Sequence, residues 1–278
     1  MPFWTRPDGD LCTDVPNVRR IMPFIMRRRN ESVVFFEQLV DIHEAEAFLE
    51  RVRAEHGVRA TLLHLIIYSA ARVLHERPRL NRFVAGRRIW QRRGVWFSFS
   101  AKKAMSDDAP IVVVKKEIPD HASFLDVVRL LDAGVTDGRS DKKSGTDKEL
   151  SLAFLLPTFL VNLVVRALFR LDAWGLLPGA MIKSDPLYAS AFVANLGSIG
   201  LDAGFHHLYE YGNIPIFAVL GKAAPTVVPD ENGQPKVVRL MRVRYSFDER
   251  IEDGLYCVKG LERVKDMVEH PTKFIPLT

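Results

Sequence analysis

The sequence predicts an α+β domain. Runs at helical spacing and β-branched runs both occur, but without the strict strand–helix–strand alternation of a doubly wound sheet. The 278 residues are 47% hydrophobic and 26% charged, a globular composition with chain enough for one large domain or two small ones. Neither an internal repeat nor a low-complexity tract interrupts it.

Residues 1–15 read as an irregular arm, rich in Pro and Asp and without periodicity. Asn17 is placed to cap a short helix through VRRIMPFIMRRR. VVFFEQLVDI, from Val33 to Ile42, reads as a strand. HEAEAFLERVRAEHG follows at helical spacing, with Ala47, Phe48, Val52 and His56 on one face and Gly57 as C-cap. A second helix spans Thr61 to Glu76, with Leu62, Leu65, Ile66, Ser69, Ala70 and Val73 inward and Pro78 just beyond its end.

RRIWQRRGVWFSFSAKK reads as two strands joined by a short turn, with Ser98 and Ser100 on one face and Phe97 and Phe99 on the other. Pro110 to Ile118 is a further strand, and His121 to Gly134 an amphipathic helix with a glycine stop. Residues 135–149 are polar and read as a loop. The apolar stretch from Ser151 to Val165 is too short for a membrane span and is broken by Pro157 and Asn162. Three readings of this stretch stay open: a buried helix, a lid or subunit contact, and a membrane-surface contact, the last extending through 151–182. Strands ASAFVAN, PIFAVLGKA and PKVVRLMRVRYSFD and a last helix, GLYCVKGLERVKDMVEH, complete the chain.

Lys plus Arg number 39 against 34 Asp plus Glu, a net charge of +5 that demands no nucleic-acid partner. Arg87, Arg88, Arg92 and Arg93 bracket a turn and read as a solvated hairpin; no aromatic set for stacking bases accompanies them. Cys12 and Cys257 are too few and too far apart for a disulfide framework or a zinc site, so a reduced, cytoplasmic setting is expected. His206 and His207 are adjacent, so their side chains should diverge, and no metal site is expected. No secretory leader, Walker loop, dinucleotide fingerprint, GxSxG or HExxH is present.

Two segments point to chemistry: FVANLGSIG, from Phe192 to Gly200, and YSFDERIEDG, from Tyr245 to Gly254. Together they resemble the catalytic domain of the dihydrolipoamide acyltransferase components of 2-oxoacid dehydrogenase complexes, which share the chloramphenicol acetyltransferase fold. In that family the first segment reads Ser-Asn-Leu-Gly and the second Asp-His-Arg-x-x-Asp-Gly. VRRIMPFIMRRRNES, the helix ending in a Pro-x-x-Asn turn (PRLN) and WFSFSAKKAMSDDAPIVVVKK resemble further family segments, so the likeness covers roughly residues 16–272. About 135–185 does not match and reads as an apolar insertion. Neither a lipoyl nor a subunit-binding domain is expected in this chain.

The resemblance implies a mixed sheet with flanking helices, assembled as a homotrimer, with cubic or dodecahedral shells as a larger form. It implies thioester acyl transfer to or from coenzyme A or a lipoyl group, with no other cofactor. The family histidine acts as general base and the serine donates to the oxyanion. Here Glu249 stands at the base position and Ala194 at the hydroxyl position, while Asn195, Asp253 and Arg19 persist. Asp253 and Arg19 are expected to form a buried ion pair. Such a double replacement on an intact frame is the pattern of a non-catalytic relative. The alternative is an active enzyme in which Ser98, Ser100, Ser198 or Ser246 donates to the oxyanion and His206 or His207 supplies the base, with Cys257 as a remoter nucleophile. Phe274, Ile275 and Leu277 resemble the family's apolar C-terminal knob, which docks into a neighbouring trimer; packing on its own subunit is the alternative.

Overall fold

A computed structural model describes residues 5–102, 111–139 and 155–276. Its centre is a six-stranded mixed sheet in the order β3-β10-β9-β8-β6-β7. The long strands β9 (Ile216–Pro229) and β10 (Pro235–Asp248) run antiparallel, with a register shift between Met241 and Val243. Strand β3 (Val33–Asp41) pairs antiparallel with β10 over its whole length. Strand β8 (Ala191–Asn195) lies parallel to both β9 and β6 (Trp96–Lys102), and β7 (Ile111–Glu117) closes the far edge. The α+β expectation and the flanking-helix architecture are therefore met.

The helical layer covers one face. Helices α2 (His43–His56), α3 (Leu62–Glu76), α4 (Phe124–Arg139) and α7 (Gly254–Glu269) share one core with inward residues of the sheet such as Phe97, Phe99 and Val193. Strand alternation sends Phe192, Phe217 and Val219 to the opposite face, where Ala203 and Leu208 cover them. Phe192 and Phe217 stack there at 4.7 Å.

Several elements differ from expectation for identifiable reasons. In α2 the buried stripe is Ala45, Phe48, Leu49 and Val52, and Ala47 faces solvent. Gly57 does cap it, at φ 65°. Helix α3 is buried nearly all round, because α4 and α7 flank it as well as the sheet. Gly134 does not stop α4, which continues to Arg139; the glycine is there because a Cβ would stand 2.7 Å from Val114 Cγ1 on β7. The rest of the expected 135–149 loop lies outside the described residues.

The N-terminal arm is ordered. Strands β1 (Thr5–Arg6) and β2 (Gly9–Leu11) join β4 (Arg82–Ala85) and β5 (Arg88–Arg92) in a second, four-stranded sheet. Arg6 anchors it with ion pairs to Asp8 at 2.9 Å and Asp172 at 2.8 Å. The strands β5 and β6 are not a hairpin: Arg93–Val95 carries the chain from one sheet to the other. The hairpin turn is at Gly86–Arg87, and Arg92, expected in solvent, is only 5% exposed.

The apolar insertion also departs from the buried-helix reading. Helix α5 (Thr158–Ala173) has no buried residue, and Phe159 and Leu163 are 69% and 63% exposed. Only one side, through Leu168 and Leu171, rests on Leu177, Ile182 and Tyr188 around the short helix α6 (Gly179–Ser184). Residues 151–154 lie outside the described set. A nine-residue helix, α1 (Asn17–Ile25), also exposes Val18, Phe24 and Ile25; its cap position is Pro16, not Asn17.

Candidate active site

The turn after β10 is held by a buried frame. Asp248 and Arg250 make a bidentate pair, Arg250 Nε to Oδ1 at 2.8 Å and Nη2 to Oδ2 at 2.7 Å, in which both side chains are almost wholly buried. Ser32 Oγ donates to the same carboxylate at 3.1 Å, and Arg250 Nη1 donates to the Met26 carbonyl. Between them the backbone of Glu249 is fixed on both sides: its N–H donates to Ser32 O at 3.0 Å and its carbonyl accepts from Arg19 Nη1 at 2.6 Å. The Glu249 side chain is half-buried.

Arg19 and Asp253 do not form the expected buried ion pair. Asp253 is exposed and serves as N-cap of α7, its carboxylate accepting from Tyr256 N at 2.9 Å. That backbone hydrogen bond, with a smaller contribution from Arg19, holds the Asp253 carboxyl below its usual range. The buried carboxylate at this end is Glu252, which pairs with Arg82 at 3.2 Å and Arg79 at 3.4 Å. Arg19, Arg79, Arg82, Glu252 and Asp253 line one cavity of about 550 Å³. Glu252 and Arg82 were missed at the sequence level; the acidic residue beside Asp253 was visible, but its partners come from 170 residues away.

Ala194 occupies the outer face of the sheet, near Phe192 and Phe217. Asn195 points the other way and lines a separate cavity of about 350 Å³ with Ser198 and Lys222. Asn195 Oδ1 accepts from Ser198 N, and Ser198 Oγ donates back to the Asn195 carbonyl at 2.7 Å. Ser98 is buried and donates to Pro186 O at 2.6 Å, so its proton is committed. Ser246 likewise donates to His206 O. Ser100 differs: the parallel register pairs Phe99 with Val193, and one step further sets half-buried Ser100 beside Ala194.

The remaining candidates lie on an irregular loop and at the buried start of α7. The rings of His206 and His207 do not diverge; they stack at 4.6 Å because the loop carrying them is irregular, and His206 also stacks on Phe217 at 3.9 Å. Burial lowers the pKa of His206. Burial, with Asp253 adding to it, pushes the Cys257 thiol up to about 12, which leaves no thiolate at neutral pH. No group of three or more His, Cys, Asp and Glu among the described residues is placed to hold a metal.

Ala194 and Glu249 are far apart within one chain. Ala194 is level with Val219 and, across β9, with Arg244 on β10. Glu249 lies beyond the end of that strand, so strand geometry separates the two by roughly 17 Å along and 10 Å across the sheet.

Residues 183–275 match the model of the 2-oxoacid dehydrogenases acyltransferase catalytic domain. Over the whole chain the fold superimposes on a dihydrolipoamide acetyltransferase of Azotobacter vinelandii, with a TM-score of 0.62, 19% identity, and 94% of this chain and 93% of that one covered. This is the acyltransferase catalytic fold. That structure accompanies a study of a serine, a histidine and an asparagine in the enzyme's mechanism. The cubic core of a pyruvate dehydrogenase multienzyme complex matches at TM-score 0.61 and 19% identity, covering 94% of this chain and 93% of that chain. A chloramphenicol acetyltransferase matches at 0.55 and 11%, covering 94% and 99%. No curated protein matches in sequence. The matched segment of the acyltransferase model contains both Ala194 and Glu249, whereas Arg19, Ser98 and Ser100 lie outside it.

Proposed function

We propose that the protein is a homotrimer on the acyltransferase fold in which thioester transfer has been lost and assembly retained. The observation that carries this is the intact frame around replaced groups. Asp248, Arg250, Ser32 and Arg19 hold the turn, yet the side chain presented there is the carboxylate of Glu249. A carboxylate is a weaker base toward a thiol than an imidazole, and its negative charge repels the thiolate that proton transfer would form. At the hydroxyl position Ala194 donates nothing, a loss worth on the order of a hundred- to a thousandfold in rate.

Trimerisation is supported by the separation of Ala194 from Glu249, which only a neighbouring copy could bridge. The uncovered apolar surfaces of α5 and α1 also suit subunit contacts. Cubic or larger shells are the natural extension, with the C-terminal segment as docking element; Ile275 is buried on its own subunit, and Leu277 lies outside the described residues. No helix among the described residues is long and apolar enough to cross a membrane. A reducing, cytoplasmic location fits two free cysteines.

The test is acyl transfer from acetyl-CoA and a long-chain acyl-CoA. Background rates are expected, with measurable turnover gained by Ala194→Ser together with Glu249→His. A second reading, an active transferase, is favoured by the placement of Ser100 beside Ala194. It predicts wild-type turnover that falls on Ser100→Ala and on Glu249→Gln, and that outcome would overturn the first.

A further inference from the structure

Helix α3 opens on a hydroxyl, an imidazole and a carboxylate in series. Thr61 stands at the N-cap in extended backbone, φ −132° and ψ 167°, and His64 follows one turn later. Thr61 Oγ1 lies 3.1 Å from His64 Nδ1, and the Thr61 N–H donates to the same nitrogen at 3.1 Å. Nδ1 therefore carries no proton and accepts from the hydroxyl as well, which leaves the ring proton on Nε2. That nitrogen is 3.4 Å from Asp132 Oδ1 on α4. The imidazole is buried, at 6% exposure, whereas Thr61 is exposed.

Thr61 also lines the cavity of about 350 Å³ described above for Asn195 and Ser198. Leu220, Ala223 and Met241, from β9 and β10, give that cavity an apolar wall. Leu62 and Leu63 line it at the start of α3. The N–H groups of a helix's first turn have no intrahelical acceptor and sit at the positive end of its dipole. A hydroxyl bonded to a base, a base facing a carboxylate and a set of N–H donors thus meet at one pocket of ligand size. Capping alone needs only an acceptor at position 64, which Glu or Gln supplies. It does not call for an imidazole backed by a carboxylate.

We propose that Thr61, His64 and Asp132 form a site that hydrolyses esters of small apolar acyl groups. Thr61 Oγ1 attacks the ester carbonyl carbon while His64 Nδ1 takes the hydroxyl proton, and first-turn N–H groups of α3 receive the oxyanion. The carbon–oxygen bond to the alcohol breaks, the alcohol leaves with the proton from His64, and the acyl group rests on Thr61. Water, giving its proton to the same nitrogen, adds to that ester, releases the carboxylic acid and restores the hydroxyl. Asp132 is a positioning residue: it orients the ring through Nε2–H and stabilises the imidazolium formed in each half-reaction. Burial lowers the His64 pKa against the pull of Asp132, so the ring is a neutral base at pH 7. The site uses neither Ala194 nor Glu249 and stands or falls separately from the acyl-transfer reading.

The experiment follows hydrolysis of p-nitrophenyl butyrate by the full chain across pH. Saturable turnover above the buffer blank is expected, with an acid limb whose midpoint lies below the ordinary histidine value of about 6.5. His64→Gln keeps an acceptor for the Thr61 N–H but removes the base. It should lower kcat by about a hundredfold or more while its thermal midpoint at pH 7 stays close to the parent's, which separates loss of catalysis from loss of folding. Thr61→Val should abolish turnover, and Thr61→Ser, which restores a hydroxyl, should recover it. Asp132→Asn should lower kcat and move the acid limb to lower pH, a shift that a purely structural role does not produce. Absence of saturable turnover, or turnover in His64→Gln or Thr61→Val equal to the parent's, overturns the proposal.

Discussion

At the scale of single residues, the frame of the Glu249 turn is a set of buried charges with named partners. Replacing Asp248 with Asn leaves the Arg250 guanidinium buried and half-satisfied, so urea denaturation should show a loss of about 3–5 kcal/mol. Asp248→Asn combined with Arg250→Met leaves neither charge stranded and should recover a large part of that. The sequence disclosed this frame well: Asp248, Arg250 and Ser32 belong to stretches whose resemblance was visible, and the structure joins them. It misled on Arg19 and Asp253. The two residues line one cavity without pairing, because local competition decided their bonds: a helix N-cap and a free backbone carbonyl were nearer partners. Pair chemistry between residues far apart in the chain cannot be read from residue identity when each has a local alternative.

At the scale of elements, α3 begins with a histidine in place of the usual Glu or Gln of a capping box. Thr61 N–H donates to His64 Nδ1 at 3.1 Å, which requires that nitrogen unprotonated. Burial lowers the His64 pKa, against the opposing pull of Asp132. The folded value is thus below the unfolded one near 6.5, so the unfolded chain binds the proton first as pH falls. The contribution is complete above the unfolded pKa and is lost on acidification below it. His64→Gln retains the cap and cannot titrate, so its stability should decline less than the parent's between about pH 7 and pH 5. Gly134 offers a second test. Alanine there gains about 1 kcal/mol of helix propensity but drives a methyl into Val114, an overpacking cost of about 1–3 kcal/mol. Gly134→Ala should therefore lower the thermal midpoint. A glycine at the end of an amphipathic run looks like a stop in sequence; only the approach of β7 reveals it as a spacer. Periodicity found the helices and strands, while the sheet to which β5 belongs depended on partners from the N-terminal arm.

For the whole molecule, the apolar outer surfaces of α5 and α1 and the distance between Ala194 and Glu249 argue for more than one copy. Sedimentation velocity at micromolar concentration should show a trimer or a multiple of it, and a stable monomer would refute the assembly. Phe159→Glu together with Leu163→Glu on α5 should shift the distribution toward smaller species if that helix lies in a contact, with little cost to the protomer, since both side chains are exposed. The strand order of the large sheet bears also on how the chain is made. β3, close to the N-terminus, finds its partner only in β10, about two hundred residues later. While synthesis proceeds, β3 has neither neighbour nor lid, and the helices that follow it have no complete sheet on which to settle. Closure of that edge waits until nearly the whole polypeptide has left the ribosome. Such long-range pairing folds slowly and leaves sticky strands uncovered in the interval. A nascent chain stalled before β10 should therefore be held by chaperones and cut readily by protease, with protection arriving abruptly once β10 is released.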